Sequence, residues 1–190
     1  MNGSKTLRRR RFVQAAAAAV IAAPSLSCGN RKGPWRFLTV QEATTVNAIA
    51  DRLIPGDDQP GAAWAGAVNF IDRHLTAHLR KHQQTYRRGL IGLDAFASEK
   101  YGKPFVELTP AQQDETLGLV EVGKTAPGVW PPVQAREFFS LILSHTMQSF
   151  YGDPRHGGNR DAVSWRMLGV NYVPVRGRQQ YDLTAAEKKS

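Results

Sequence analysis

No stretch of this 190-residue chain alternates apolar and polar residues for long; its apolar positions recur every three or four residues, between recognisable helix caps. A chain patterned this way lacks the period-two face that a sheet must bury, so the expected class is all-α. Leu38-Thr39-Val40-Gln41-Glu42 has the form of a capping box, and Val40, Ala43, Val46, Ile49, Ala50, Leu53 and Ile54 then give one apolar face before Pro55-Gly56 stops the helix. After the turn cluster Asp57 to Gly61, a second helix is predicted from Ala65 to about Lys81 and a third from Gln83 to Tyr101, with Gly102 as its left-handed cap. Thr109-Pro110-Ala111-Gln112 is a second capping box, with proline at the first helical position, and opens a helix to about Val122. An apolar helix from about Pro132 to Phe150 and a shorter piece over Asp161 to Leu168 complete a single compact bundle of five or six helices with a loop-rich C-terminal region. With one cysteine, the bundle has no internal disulfide and depends on packing.

The chain ahead of that bundle reads as an address. Arg9-Arg10-Arg11-Phe12-Val13 precedes the nine-residue apolar run Ala15 to Ala23, too short for the roughly 20 residues of a spanning helix. Residues 1–27 are therefore expected to be a twin-arginine signal peptide, in which Arg9, Arg10 and Phe12 carry the recognition by export machinery that moves folded proteins. Cys28 follows the small residues Ser25-Leu26-Ser27, so the site is either an ordinary signal-peptidase cleavage or a lipidation at Cys28. Residues 28–37 read as a tether, 38–170 as the helical domain and 171–190 as a charged C-terminal tail. The formal charge of +9 shrinks accordingly, because residues 1–27 hold five basic groups and no acidic one, which leaves 20 basic against 16 acidic residues. No compact basic stripe with interleaved aromatics remains, so nucleic acid is not an expected partner.

Folded export suggests a bound cofactor, yet the chain has no glycine-rich dinucleotide turn, no P-loop, no CxxCH and no cysteine set for an iron–sulfur cluster. His74, His78 and His82 stand four apart, a spacing that would line them up on one helical face as weak candidate ligands for a metal or haem; the competing reading is a wet, cationic face with Arg73, Arg80 and Lys81. Asp57 and Asp58, with Asp51 nearby, could be paired carboxylates for acid–base work or calcium ligation, but they fit turn residues bonding local amides better, and no histidine, serine or cysteine accompanies them to build a triad. No catalytic residue is assigned. The segment His145 to Trp165 differs in kind: it packs Gly152, Gly157 and Gly158 among aromatics and polar groups. It suits a docking surface with Phe150, Tyr151 and Trp165 as anchors and Arg155, Asn159, Arg160 and Asp161 as polar contacts, or else a tight connection whose aromatics fill the core.

At this point the sequence resembles the gluconate 2-dehydrogenase subunit 3 family. The matching stretches are Leu38-Thr39 with Ile49-Ala50-Asp51-Arg52-Leu53-Ile54-Pro55, Asp58-Gln59-Pro60-Gly61-Ala62 with Phe70-Ile71-Asp72, Tyr86-Arg87 with Gly89-Leu90 and Leu93-Asp94, and Phe105 with Leu108-Thr109-Pro110. Phe138-Phe139, His145-Thr146, Gly152-Asp153-Pro154, Gly157-Gly158-Asn159-Arg160-Asp161 and Trp165 extend the match to about residue 170, and the Asp153-Pro154 to Trp165 block is its most specific part. The resemblance implies a non-catalytic small subunit that holds no redox centre, beside a large flavoprotein that binds FAD and oxidises a sugar or sugar acid and a multihaem cytochrome that carries haem c. It also implies that the small subunit helps the flavoprotein mature and lends it an export signal. The complex would be periplasmic and associated with the inner membrane. Two other readings stay open from the residues: a small periplasmic helical protein binding metal or haem through His74, His78 or His82, and a free periplasmic lipoprotein with an unrelated partner.

Overall fold

The computed structural model describes residues 33–170. The predicted signal residues Arg9, Arg10 and Phe12, the candidate lipidation site Cys28 and the tail 171–190 lie outside the described residues. Among the described residues six α-helices follow one another: α1 (Val40–Leu53), α2 (Ala67–Leu75), α3 (Gln83–Tyr101), α4 (Pro110–Glu121), α5 (Pro132–Tyr151) and α6 (Val163–Met167). Short 3-10 turns stand at Arg80–His82, Phe105–Glu107, Pro154–His156 and Arg160–Ala162, and no strand occurs among the described residues.

Both capping boxes form. The Glu42 amide donates to the Thr39 hydroxyl at 3.2 Å while Glu42 Oε2 accepts from the Thr39 amide at 2.8 Å. Thr109 and Gln112 repeat the exchange at the start of α4, with Pro110 placed where its missing amide costs nothing. Gly102 ends α3 at a φ of 72°. These local signals fix where the helices begin, and packing fixes how they meet.

Helix α5 is the axis of the bundle, lying against α1, α2, α3, α4 and α6. Its Phe138, Phe139 and Ile142 join Ile49, Ile71, Leu75, Tyr86, Leu93, Phe105 and Val120 in the main core. The approach of α3 to α5 depends on Gly89, where an added Cβ would sit 2.0 Å from the Phe138 ring. Gly89→Ala is therefore expected to force the two helices apart, costing about 3 kcal/mol and about 10 °C in Tm. Gly118, inside α4, is the control, because a Cβ added there would meet nothing within 4 Å. Gly118→Ala is expected to stabilise by about 0.5–1 kcal/mol, read from thermal melts of both variants.

The segment ahead of α1 is strapped to the bundle by two side chains. Asp72, buried on α2, accepts the amides of Arg36, Phe37 and Leu38 at 2.7, 2.9 and 2.9 Å. Arg87 of α3 donates to the Phe37 carbonyl at 2.8 Å, pairs with Glu42, and lies 4.4 Å above the Phe37 ring.

One helix ends earlier than its sequence suggests. The predicted helix to Lys81 stops at Leu75, and the chain turns through Thr76 to Leu79 before the Arg80–His82 turn. The His74 carbonyl accepts from the amides of Ala77 and Leu79, the Thr76 hydroxyl donates back to the Arg73 carbonyl, and the Gln83 side chain donates to the Leu75 carbonyl at 2.8 Å. With its last carbonyls satisfied, α2 can end there, and Leu79 is turned inward to join the core.

Candidate docking surface

The segment after α5 is built around Asn159. Tyr151 is the last residue of α5, and Gly152 follows at a point where a Cβ would meet the Gln148 carbonyl oxygen at 2.3 Å. Asp153 then accepts the Arg155 amide at 2.9 Å and pairs with the Arg155 guanidinium at 2.6 Å, an arrangement that holds the Asp153 carboxyl down to about 2. Gly157 turns the chain at a φ of 100°, and Gly158 presses against Ser149, where any side chain would collide with the Ser149 hydroxyl and carbonyl. Asn159 is fully buried; its amide group donates to the Gly152 carbonyl at 2.8 Å and its carbonyl accepts the Ser164 amide at 3.0 Å. The Arg160 amide reaches the Ala65 carbonyl at 3.0 Å, and the Trp165 indole donates to the Tyr151 carbonyl at 2.7 Å. One asparagine thus ties the end of α5 to the start of α6.

The tie holds unusual backbone. Asn159, Asp161 and Ala162 all have positive φ, at 44°, 55° and 53°. Asparagine and aspartate tolerate this region, whereas at alanine it costs about 1–2 kcal/mol. Backbone strain held by surrounding hydrogen bonds is the kind of feature that clusters where a surface has a task beyond folding.

The expected interface residues divide into two groups. Phe150, Gly158 and Asn159 are buried within the subunit: Phe150 fills a niche lined by Ala50, Ala62, Ala65, Ala67 and Val163, and so anchors the loop rather than a partner. Tyr151, Arg155, Arg160 and Asp161 face solvent, while Asp153, Pro154, Gly157 and Trp165 are half-buried beneath them. The structure adds residues that the sequence pattern did not single out. Trp64, 42 % exposed, lies under the Arg160 guanidinium at 5.3 Å, and Met167 and Leu168 are 47 % and 62 % exposed just after the Asn159 tie. Gln59 and Pro60 line two adjoining depressions, one shared with Trp64 and the other with Val163, Arg166 and Met167. Trp64, Pro60, Met167 and the strained turn therefore belong to one surface, whose apolar side chains are rimmed by Arg160, Arg166 and Asp161 and, beside Trp64, by Asp51, Asp57 and Asp58, a mixture of apolar and charged groups that suits a protein partner.

The candidate histidines go elsewhere. Because α2 ends at Leu75, His74, His78 and His82 do not share a helical face: His74 is buried and meets His78 at a ring separation of 4.5 Å, whereas His82 meets His145 at 5.6 Å. Among the described residues, no group of three or more histidine, cysteine or acidic side chains is arranged to hold a metal ion. Asp51, Asp57 and Asp58 are exposed along the depression beside Trp64, and Asp57 accepts the Gln59 amide at 2.9 Å within its own turn.

A family model described as Gluconate 2-dehydrogenase subunit 3 matches residues 40–171, which spans all six helices and the Asn159 segment. No match is found among curated proteins or among solved structures.

Proposed function

The chain belongs to the gluconate 2-dehydrogenase subunit 3 family, and on that premise we propose that it is a non-catalytic small subunit that binds, helps to mature and escorts for folded export the FAD-dependent catalytic subunit of a gluconate or related sugar dehydrogenase. The strongest support is the family match across the whole helical domain, which names the chain as one subunit of a complex. FAD belongs to the large subunit in this scheme, and haem c to a multihaem cytochrome subunit. The sequence at Arg9, Arg10 and Phe12 supplies the twin-arginine address that the folded pair shares, and the complex works in the periplasm at the inner membrane, with the small subunit either cleaved before Cys28 or lipidated on it.

Docking is assigned to the surface of Trp64, Tyr151, Arg160, Asp161, Met167 and Leu168. An apolar centre of aromatic and methionine side chains with a charged rim supports this choice, because such residues give large contact area while the rim sets orientation. The test is co-purification of the flavoprotein subunit with the tagged small subunit. Met167→Asp combined with Leu168→Asp is expected to lower recovery of the flavoprotein at least about tenfold, since two desolvated carboxylates would face an apolar partner patch. The same variant should keep its helical circular dichroism and Tm, as both side chains are exposed. Undiminished co-purification would move the interface elsewhere on the subunit.

A further inference from the structure

All five histidines of the chain gather in one region where α2, the turn after it, α5 and the Pro154–His156 turn come together. His74 stands at its centre. Its ring lies 4.2 Å from Phe70, 4.5 Å from His78 and 5.8 Å from His156, measured between centroids, and neither of its buried nitrogens makes a well-formed hydrogen bond. His145, on α5, is stacked on Tyr86 with its Nδ1 2.9 Å from the Tyr86 hydroxyl, and it meets His82 edge-on. The contact between α2 and the 154–156 turn is completed by Arg73, whose guanidinium donates to the Arg155 carbonyl at 3.3 Å.

A buried imidazole whose nitrogens make no well-formed hydrogen bond is favoured in its neutral form. The groups that act on His74 are His78, His156 and Arg73, all of which oppose a positive charge, and the His156 backbone, which favours one. Those acting on His145 are His82, His78 and His74, each again opposed to its charging; on His82, Lys81 opposes a charge and Glu137 favours it. The Asp153 carboxylate, which His156 helps to hold ionised, is already paired with Arg155. None of the side chains that act on His74 is an anion.

We propose that the histidine cluster is a proton-operated latch on the Pro154–His156 turn: uncharged, it lets the turn close on α2, and charged, it drives the turn away and loosens the surface built on Asn159. Burial and the neighbouring histidines lower His74, the ring in contact with His156, so its protonation is coupled to opening. The sign follows from linkage. An opened or unfolded imidazole binds its proton near its ordinary value of about 6.5, above the folded value of His74, so the closed turn is fully favoured above that pH and loses stability as pH falls below it. The effect on a partner rests on the docking surface assigned above; the latch itself does not.

The test uses the full chain in two arms. Hydrogen exchange of the amides from 153 to 158, corrected for intrinsic rates, is expected to show about tenfold more opening near pH 5 than near pH 7.5, with the centre of α3 unchanged. His74→Phe, which fills the site beside Phe70 without a titrating group, and the exposed His156→Gln, which is safe for folding, should each flatten that dependence. Opening that does not change with pH in the wild type, or that persists unchanged in both folded variants, overturns the latch. In the second arm the flavoprotein complex should dissociate faster near pH 5. If the loop opens with acid but the complex is indifferent to pH, the latch stands and the docking assignment fails.

Discussion

Asp72→Ala is expected to cost about 4 kcal/mol of folding stability, most of the margin of a domain that starts near 5–15 kcal/mol. The reason is the number of groups that one carboxylate satisfies. Three successive amides, those of Arg36, Phe37 and Leu38, converge on its two oxygens, and Leu38 is itself buried. Removing an acceptor leaves each buried donor with a penalty of about 1–3 kcal/mol, partly recovered where water reaches the amides of Arg36 and Phe37. Asp72→Asn should restore only part of the loss, since one of its two acceptor oxygens becomes an amide donor facing an N–H group. Urea unfolding followed by circular dichroism reads the effect, and a loss below about 1 kcal/mol would mean that the strap from Arg36 to Leu38 is not held by this carboxylate.

Asp72 also marks where the sequence stops being informative. Its partners lie 34 to 36 residues earlier, and nothing in the pattern around Phe70-Ile71-Asp72 distinguishes it from any polar residue on a helix. The same holds for the end of α2. Its stop depends on Gln83, eight residues on, reaching back to the Leu75 carbonyl, so a reading based on periodicity carries the helix through to Lys81 and lines up histidines that in fact separate. By contrast, the caps at Thr39 and Thr109 are chemistry within four residues, and the positions of α1, α3, α4 and α5 are legible from them, from Gly102 and from the apolar spacing between. At the docking segment, the glycines and Asp153-Pro154 announce a turn, but whether an aromatic faces in or out depends on what α1 and the 62–67 segment bring to meet it. Phe150 goes in; Tyr151, its neighbour, stays out. Trp64 and Met167 have no motif around them, and only their convergence on Gln59 and Pro60 brings them to notice.

The second large effect concerns the partner rather than this chain. If the small subunit is needed for the flavoprotein to mature and be exported, its loss acts on every turnover of the complex, not on one step of catalysis. Removing it is expected to reduce sugar-oxidising activity in the membrane and periplasmic fractions by at least about tenfold while the flavoprotein polypeptide remains in the cytoplasm, because an export address carried by one subunit is lost to the other with it. Substitutions within this chain should grade that effect by mechanism. Arg9→Lys with Arg10→Lys would leave the pair assembled but unexported, whereas Met167→Asp with Leu168→Asp would leave the small subunit exported alone. Gly89→Ala would weaken both through loss of folded subunit.

The escort role is tested most sharply by dye-linked dehydrogenase activity, measured together with the location of the flavoprotein, in cells lacking this chain and complemented with it. Activity and export should both collapse without the chain, return with the wild type, and fail to return with the Met167→Asp, Leu168→Asp variant. An active, exported flavoprotein in cells that lack the chain altogether would refute that role.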